Sequence, residues 1–257
     1  LIFSVMRLRD RKALGAACSW FKQAIEEFHG QSRTISFLLG PFFSTEEIVM
    51  FQTLQALTGL LISGSTALQF FSCNRFHSDL DTYCTVKHCF EVGQWLIKRG
   101  YQFVPTEHQS ATFSEEYGTI LKATRTLSLE SDIEVYDDKK IAGVWTFSRH
   151  GSVIQLIGSI HAPLEVILSF HSTCVMNIIT HNAAYSLFPS LTFNESVTLM
   201  TNRPHPLTEK QRDALTKYKN RGFDLIDSIQ PQVSGNPESA LTFLVPRHVG
   251  DKHCWKI

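Results

Sequence analysis

Nothing in this chain of 257 residues is in gross excess, and several absences narrow what it can be. Lys plus Arg number 24 and Asp plus Glu number 24, so the formal net charge at neutral pH is zero. A global basic field that would announce a nucleic-acid binder is therefore missing, and any electrostatic recognition must come from a local patch. Apolar residues make up 43% and charged residues 19%, which excludes a disordered or collagen-like chain. No apolar run reaches the ~20 residues needed to cross a bilayer, so no membrane partner is expected. There is no internal repeat and no low-complexity segment. The six cysteines (Cys18, Cys73, Cys84, Cys89, Cys174 and Cys254) form no CxxC pair, and the histidine spacings complete no zinc pattern. They read as reduced, buried thiols of an intracellular protein, in cytoplasm or nucleus. The chain starts at Leu1 without the pattern of a secretory signal, as a piece of a longer soluble protein would. What is plentiful is phenylalanine, 19 in all, enough for a well-filled core. The length suits one large domain, or one domain with a small module.

Along the chain, residues 1–28 have helical periodicity and suggest two short helices joined near Arg9-Asp10. Gly30, Gly40 and Pro41 mark residues 29–43 as a connector. Ser44 and Glu47 have capping-box spacing and open a helix that Gly59 ends. Leu60-Leu61-Ile62 is a short buried strand, followed by a turn at Gly64, a helix from about Ser65 or Thr66, and a strand through Leu80, Thr82 and Cys84. A helix over 90–98 stops at Gly100, and residues 101–104 form a strand entering Pro105. Residues 106–131 are polar and ambiguous, and 133–136 look like a strand. Residues 142–149, the His150-Gly151 turn and 152–157 make the clearest hairpin. A helix follows Pro163, a strand is expected at 175–179, and Thr208 with Gln211 caps a helix to about Arg221. The tail from Leu241 looks mostly extended.

One constellation carries chemistry. A strand ends at Ile62, the chain turns at Gly64, and a helix begins, so unpaired N–H groups and a helix dipole meet where the missing side chain lets a ligand approach. This is a phosphate cradle from Gly64, Ser65 and Thr66. Asp79-Leu80-Asp81 follow, with thirteen residues between Ser65 and Asp79. Alternate strand residues share a face, so Asp79 and Asp81 project together and repel unless a cation lies between them. Mg²⁺ takes oxygen ligands and bridges carboxylates to phosphates. A cradle beside an acid pair is the minimum for phosphoryl or nucleotidyl transfer. The plainer alternative is a glycine turn and an exposed acidic strand end.

These residues resemble a family. GSTALQFF at 64–71 and SDLDTY at 78–83 are similar to the Gly-Ser and Asp-x-Asp signature of the DNA-polymerase-beta-like nucleotidyltransferase superfamily. With PLEVILSFHSTCVMNIITHNAAYSLFP at 163–189 and VGDKHCW at 249–255, most of residues 45–257 resembles a group of fungal proteins, a likeness that brings no substrate. The resemblance implies an α+β fold over residues 44–257, a mixed β-sheet flanked by helices. It implies a nucleoside triphosphate as partner, Mg²⁺ on Asp79 and Asp81, and transfer of a nucleotidyl group to a hydroxyl acceptor. It also implies a third carboxylate on a later central strand. Residues 152–157 are the strand expected there, with Gln155 at the inward position, which brings no charge. Glu134 is then the acid expected to complete the catalytic set, with Asp132, Glu165 and His171 behind it. Without a third acid the domain binds nucleotide or metal without turnover, as inactive superfamily members do.

Three other features invite function. Residues 203–221 hold six cations against two anions, a local charge of +4 that suits a triphosphate tail or, less well, an RNA backbone, and Tyr218 within it suits a base; a solvated helix face and a packed tyrosine are the plainer explanations. Cys174 with His171 suggests a thiolate pair, although no orienting group or oxyanion hole has a recognisable spacing. LIFSVMRLRDRKALGAACSWFKQAI at 1–25 resembles the later part of an F-box, which implies docking on a Skp-type adaptor. Residues 1–43 are then a partial F-box-like segment with its connector, and the rival function is a non-catalytic adaptor carrying a degenerate transferase domain. A helical cap on the main domain is the other explanation of this segment.

Overall fold

The computed structural model describes residues 2–130, 140–201, 209–228 and 246–257. After a 3₁₀ turn at Ile2–Ser4 come α1 (Leu8–Ala17), α2 (Ser19–Ser32) and α3 (Ile35–Leu39). The first junction lies at Cys18, which is extended (φ −157°, ψ 136°), and not near Arg9-Asp10. Nothing at those two positions breaks a helix, and Asp10 in the first turn of α1 suits the positive end of its dipole. The expected connector is likewise partly helical: α2 runs through Gly30, and Thr34 caps α3 by accepting the Phe37 N–H at 3.1 Å.

The main body begins with α4 (Thr45–Thr58). Its capping box is complete, with Ser44 Oγ accepting the Glu47 N–H and Glu47 Oε2 accepting the Ser44 N–H at 2.9 Å, and it ends at left-handed Gly59. There follow β1 (Leu61–Ile62), α5 (Gly64–Ser72), β2 (Leu80–Thr85), α6 (Val86–Lys98) and β3 (Gln102–Phe103). The ambiguous polar stretch contains α7 (Phe113–Glu130), which Thr112 opens by accepting the Glu115 N–H. The hairpin is β4 (Ile141–Arg149) and β5 (Ser152–Ser159), turned by His150 and Gly151 with φ of 50° and 83°. Then come α8 (Pro163–Leu168), a 3₁₀ turn at Thr173–Val175, β6 (Asn177–Ile179) and β7 (Ala184–Ser186). A π-helical turn at Ser190–Glu195 leads to β8 (Val197–Leu199). The chain continues with α9 (Glu209–Asn220), β9 (Asp224–Ile226) and β10 (Trp255–Lys256). The tail at 246–257 is mostly turns rather than extended, because Asp251 accepts from Arg247 and from the His253 N–H and curls the chain. The strand expected at 133–136 and the cap expected at Thr208 lie outside the described residues.

Eight strands form one mixed sheet in the order β10-β7-β6-β1-β2-β5-β4-β3, and β8 and β9 pair separately. Among the described residues only β2 and β5 of the large sheet run parallel; β1 is antiparallel to β2. The chain is thus a mixed sheet flanked by helices, in keeping with the α+β class. Strand alternation sorts the side chains. Leu80 and Cys84 of β2, Ile154 and Leu156 of β5, and Trp145 and Phe147 of β4 join the large core with α4 to α7. Tyr83 and Ile157, one position off, join a smaller core with Val166 and Ile167 of α8. Among the described residues no helix is long and apolar enough to cross a membrane.

The N-terminal helices seal onto the C-terminal end of α5. Fully buried Arg11 donates through Nη2 to the Ser72 carbonyl and to Asn74 Oδ1 (3.2 Å), and Arg33 Nη2 donates to the Phe71 carbonyl at 3.2 Å. Two cations on the last carbonyls of a helix complement its dipole. Their outer surface stays open: Ile2, Val5 and Trp20 are 75%, 80% and 66% exposed.

Arg149, at the hairpin turn, ties four elements together. It makes a bidentate pair with Glu47 (2.8 and 2.9 Å), donates to the Phe42 and Arg99 carbonyls, and lies 4.5 Å over the Tyr101 ring. The Arg149 bonds hold the Glu47 carboxyl down to about 2. Arg149→Met is expected to cost about 3 kcal/mol in urea unfolding, because the part-buried Glu47 carboxylate is left without its cation and the Arg99 carbonyl loses the guanidinium, while the Phe42 carbonyl keeps the Tyr101 hydroxyl. The stability gap between wild type and Glu47→Gln is expected to be fully present above the unfolded carboxyl pKa. It should close as pH falls toward 2, since a depressed folded pKa stabilises only while the group is ionised.

Candidate functional site

The site forms where β1 hands over to α5. Gly64 has φ +69°, and a Cβ placed there would lie 2.4 Å from Asp81 Oδ2. Glycine is therefore required twice, for the left-handed backbone and for the approach of the carboxylate. The Ser63 N–H donates to the Asp81 carbonyl at 3.2 Å, and Thr66 Oγ1 donates to the Asp79 carbonyl at 2.8 Å. The helix tip and the acid segment are thus laced together from both sides.

Asp79 and Asp81 share the face of the sheet that carries Tyr83. Burial, then the neighbouring charge of Asp79, pushes the Asp81 carboxyl up to about 7, against an opposing pull from Lys217. The neighbouring strand supplies Gln155, which pairs in register with Asp81 and donates from Nε2 to Asp79 Oδ2 at 3.2 Å. A neutral amide therefore stands on the central strand where the resemblance implied an acid. Glu134 and Asp132 lie outside the described residues. Among the described residues no group of three or more His, Cys, Asp or Glu converges, so neither Glu165 nor His171 makes a third ligand. His171 instead stacks near Tyr218, with ring centroids 5.8 Å apart.

The C-terminal turn of α9 covers the tip. Ser65, 4% exposed, meets Tyr218 Oη at 3.2 Å and accepts from Arg221 Nη1 at 2.9 Å. Lys217 lies within electrostatic reach of both aspartates. The Ser65 hydroxyl is thus already partnered, and the Thr66 hydroxyl is occupied by the Asp79 carbonyl; Gly64, Ser65 and Thr66 are buried, and the groups at the tip able to hold an anion are its first-turn N–H groups and the Arg221 cation. Arg221 lies 4.0 Å over the Phe76 ring and has no carboxylate partner among the described residues, and burial lowers its pKa. The basic run was visible in the sequence, but nothing there showed that its last turn docks on Ser65. Tyr218 is buried, a packed residue rather than a stacking platform. Cys174 is fully buried and its thiol is pushed up to about 11, so it is not a ready thiolate.

Asp79, though not Asp81, lines a cleft of about 620 Å³ together with Thr66, Phe37 and Arg75. The donor set fits one Mg²⁺: two carboxylates beside a helix tip and the Arg221 cation suit an ion that keeps waters and shares phosphate oxygens. It does not fit a cage of protein acids.

Gly64→Ala is expected to lose about 1–2 kcal/mol from the left-handed backbone alone, and more from the clash with Asp81. In a double-mutant cycle with Asp81→Ala, read by denaturant midpoint, the two losses should be less than additive, because the second change removes the oxygen that the new Cβ meets. Strict additivity would mean that the two do not touch.

Comparison of the chain with protein-family models, curated proteins and solved structures finds no match.

Proposed function

We propose that the protein binds a nucleoside triphosphate with Mg²⁺ at the junction of β1, α5 and β2, as a nucleotidyltransferase-like domain. The observation that carries this is the contact between Gly64 and Asp81: a left-handed glycine at a helix tip lies directly against one of two same-side aspartates. The topology supports it as well. A strand, a glycine-opened helix, an antiparallel strand bearing Asp-x-Asp and a parallel third strand occur in that order.

In this arrangement the first-turn N–H groups of α5 and the Arg221 guanidinium hold the phosphates. Lys217 adds positive charge on the exposed side, and Asp79 and Asp81 hold the metal. Bound there, Mg²⁺ supplies charge neutralisation for the phosphoryl oxygens. Thr66 fixes Asp79 through its carbonyl, and Gln155 fixes the Asp79 carboxylate. In nucleotidyl transfer the acceptor hydroxyl gives up its proton to solvent as its oxygen bonds to the α-phosphorus, the bridge to the β-phosphate breaks, and pyrophosphate leaves with that electron pair. With Gln155 in place of an acid, the described residues provide one metal's worth of carboxylates.

A second reading has its own support. Ile2 and Val5 at the N-terminal turn and Trp20 on α2 are exposed apolar side chains that a Skp-type adaptor would cover, with the transferase domain serving recognition.

Titration calorimetry with ATP should show Mg²⁺-dependent binding that Asp79→Ala with Asp81→Ala abolishes. Absence of binding at millimolar nucleotide would reject the proposal. Co-purification with a Skp-type adaptor, lost in Trp20→Ala, is the outcome expected of the second reading.

A further inference from the structure

We infer that the cleft beside Asp79 holds the base of that nucleotide, stacked on the surface that the N-terminal helix α3 and the loop at 74–79 form together. This rests on the transferase reading. The cleft reaches from Asp79 and Thr66 to Phe37 and Phe42 of the N-terminal segment and to Arg75 and Phe76 of the loop. Its volume of about 620 Å³ lies within the ~300–1,000 Å³ range of small-molecule sites. Its walls combine aromatic rings with a guanidinium, the pairing that takes a flat heterocycle without reading its edges. Arg75 lies 4.9 Å over the Phe37 ring, so the two present one stacked surface. Phosphate oxygens would find only exposed Arg75 and His77 in this lining, whereas Arg221, with no carboxylate partner among the described residues, stands on Ser65 at the helix tip. The cleft and the tip therefore divide a nucleotide between them, ring at one end and phosphates at the other.

The surface is built before any ligand arrives. Asn74 Nδ2 donates to the Ser4 and Met6 carbonyls at 3.1 Å, and the Phe76 N–H donates to Gln69 Oε1 at 2.8 Å. The Thr66 bond to Asp79 closes the other end of the loop. Phe37 is oriented by the Thr34 cap of α3. A pinned loop and a capped helix lower the ordering cost of binding. The N-terminal helices then supply one wall of the binding site in addition to covering the end of α5.

The test compares ATP with inorganic tripolyphosphate, both with Mg²⁺, by calorimetry on the full chain. Phe37→Ala and, separately, the surface change Arg75→Ala should weaken ATP about ten-fold each and leave tripolyphosphate unchanged. Phe37→Trp should restore ATP. If both alanine variants leave ATP unaltered, or weaken the two probes equally, while Asp79→Ala with Asp81→Ala abolishes both, the base does not sit in this cleft and the phosphate site stands. If neither probe binds the wild type, the cleft assignment and the transferase reading fall together.

Discussion

The parallel pairing of β2 with β5 is the constraint on which the rest depends. It places Asp81 opposite Gln155 on one face, and Leu80, Leu156 and Ile154 on the other. The chain reaches that pairing only by a long crossover through α6, β3, α7 and β4. The crossover buries Trp145 and Phe147 against the same strands. The large apolar core and the polar site are thus two faces of one register, and neither can be altered without the other.

Helix α5 converts that register into a site. Its carbonyl end is held by Arg11 and Arg33, an arrangement its dipole favours. At its amino end lies Arg221, a cation where the dipole favours an anion. The neighbouring aspartates have the opposite excess, and the charge of Asp79 adds to burial in raising the Asp81 carboxyl. An anion on the tip with a divalent cation on the acids would relieve both imbalances, which is the electrostatic content of the proposed function.

Much of this was legible in the residues themselves. The Ser44–Glu47 box, the Gly59 stop and the His150-Gly151 turn depend on side chains within four positions of one another, and local chemistry decides them. The pairing of Gly64 with the aspartates was readable because strand alternation and a glycine turn leave few arrangements. The inward direction of Gln155 was readable for the same reason. Other features depend on tertiary context. α7 is amphipathic only once Phe113 and Tyr117 find Phe90 and Trp145. Gly30 sits inside α2 against its own propensity. The short strands β7 and β10 carry little period of their own and pair with each other across nearly seventy residues. The docking of Arg221 on Ser65 spans 156 positions, a distance at which a basic helix and a solvated one look the same.

The hairpin register also limits how this chain can change length. A single residue removed from β5 ahead of Gln155 would bring Leu156 to face Asp81 and push a polar amide into the Trp145 core. A length change in this half of the molecule is therefore tolerable only outside the paired strands. The His150-Gly151 turn is no easier a place for it, since Arg149 beside it is anchored to Glu47 and to the Phe42 carbonyl.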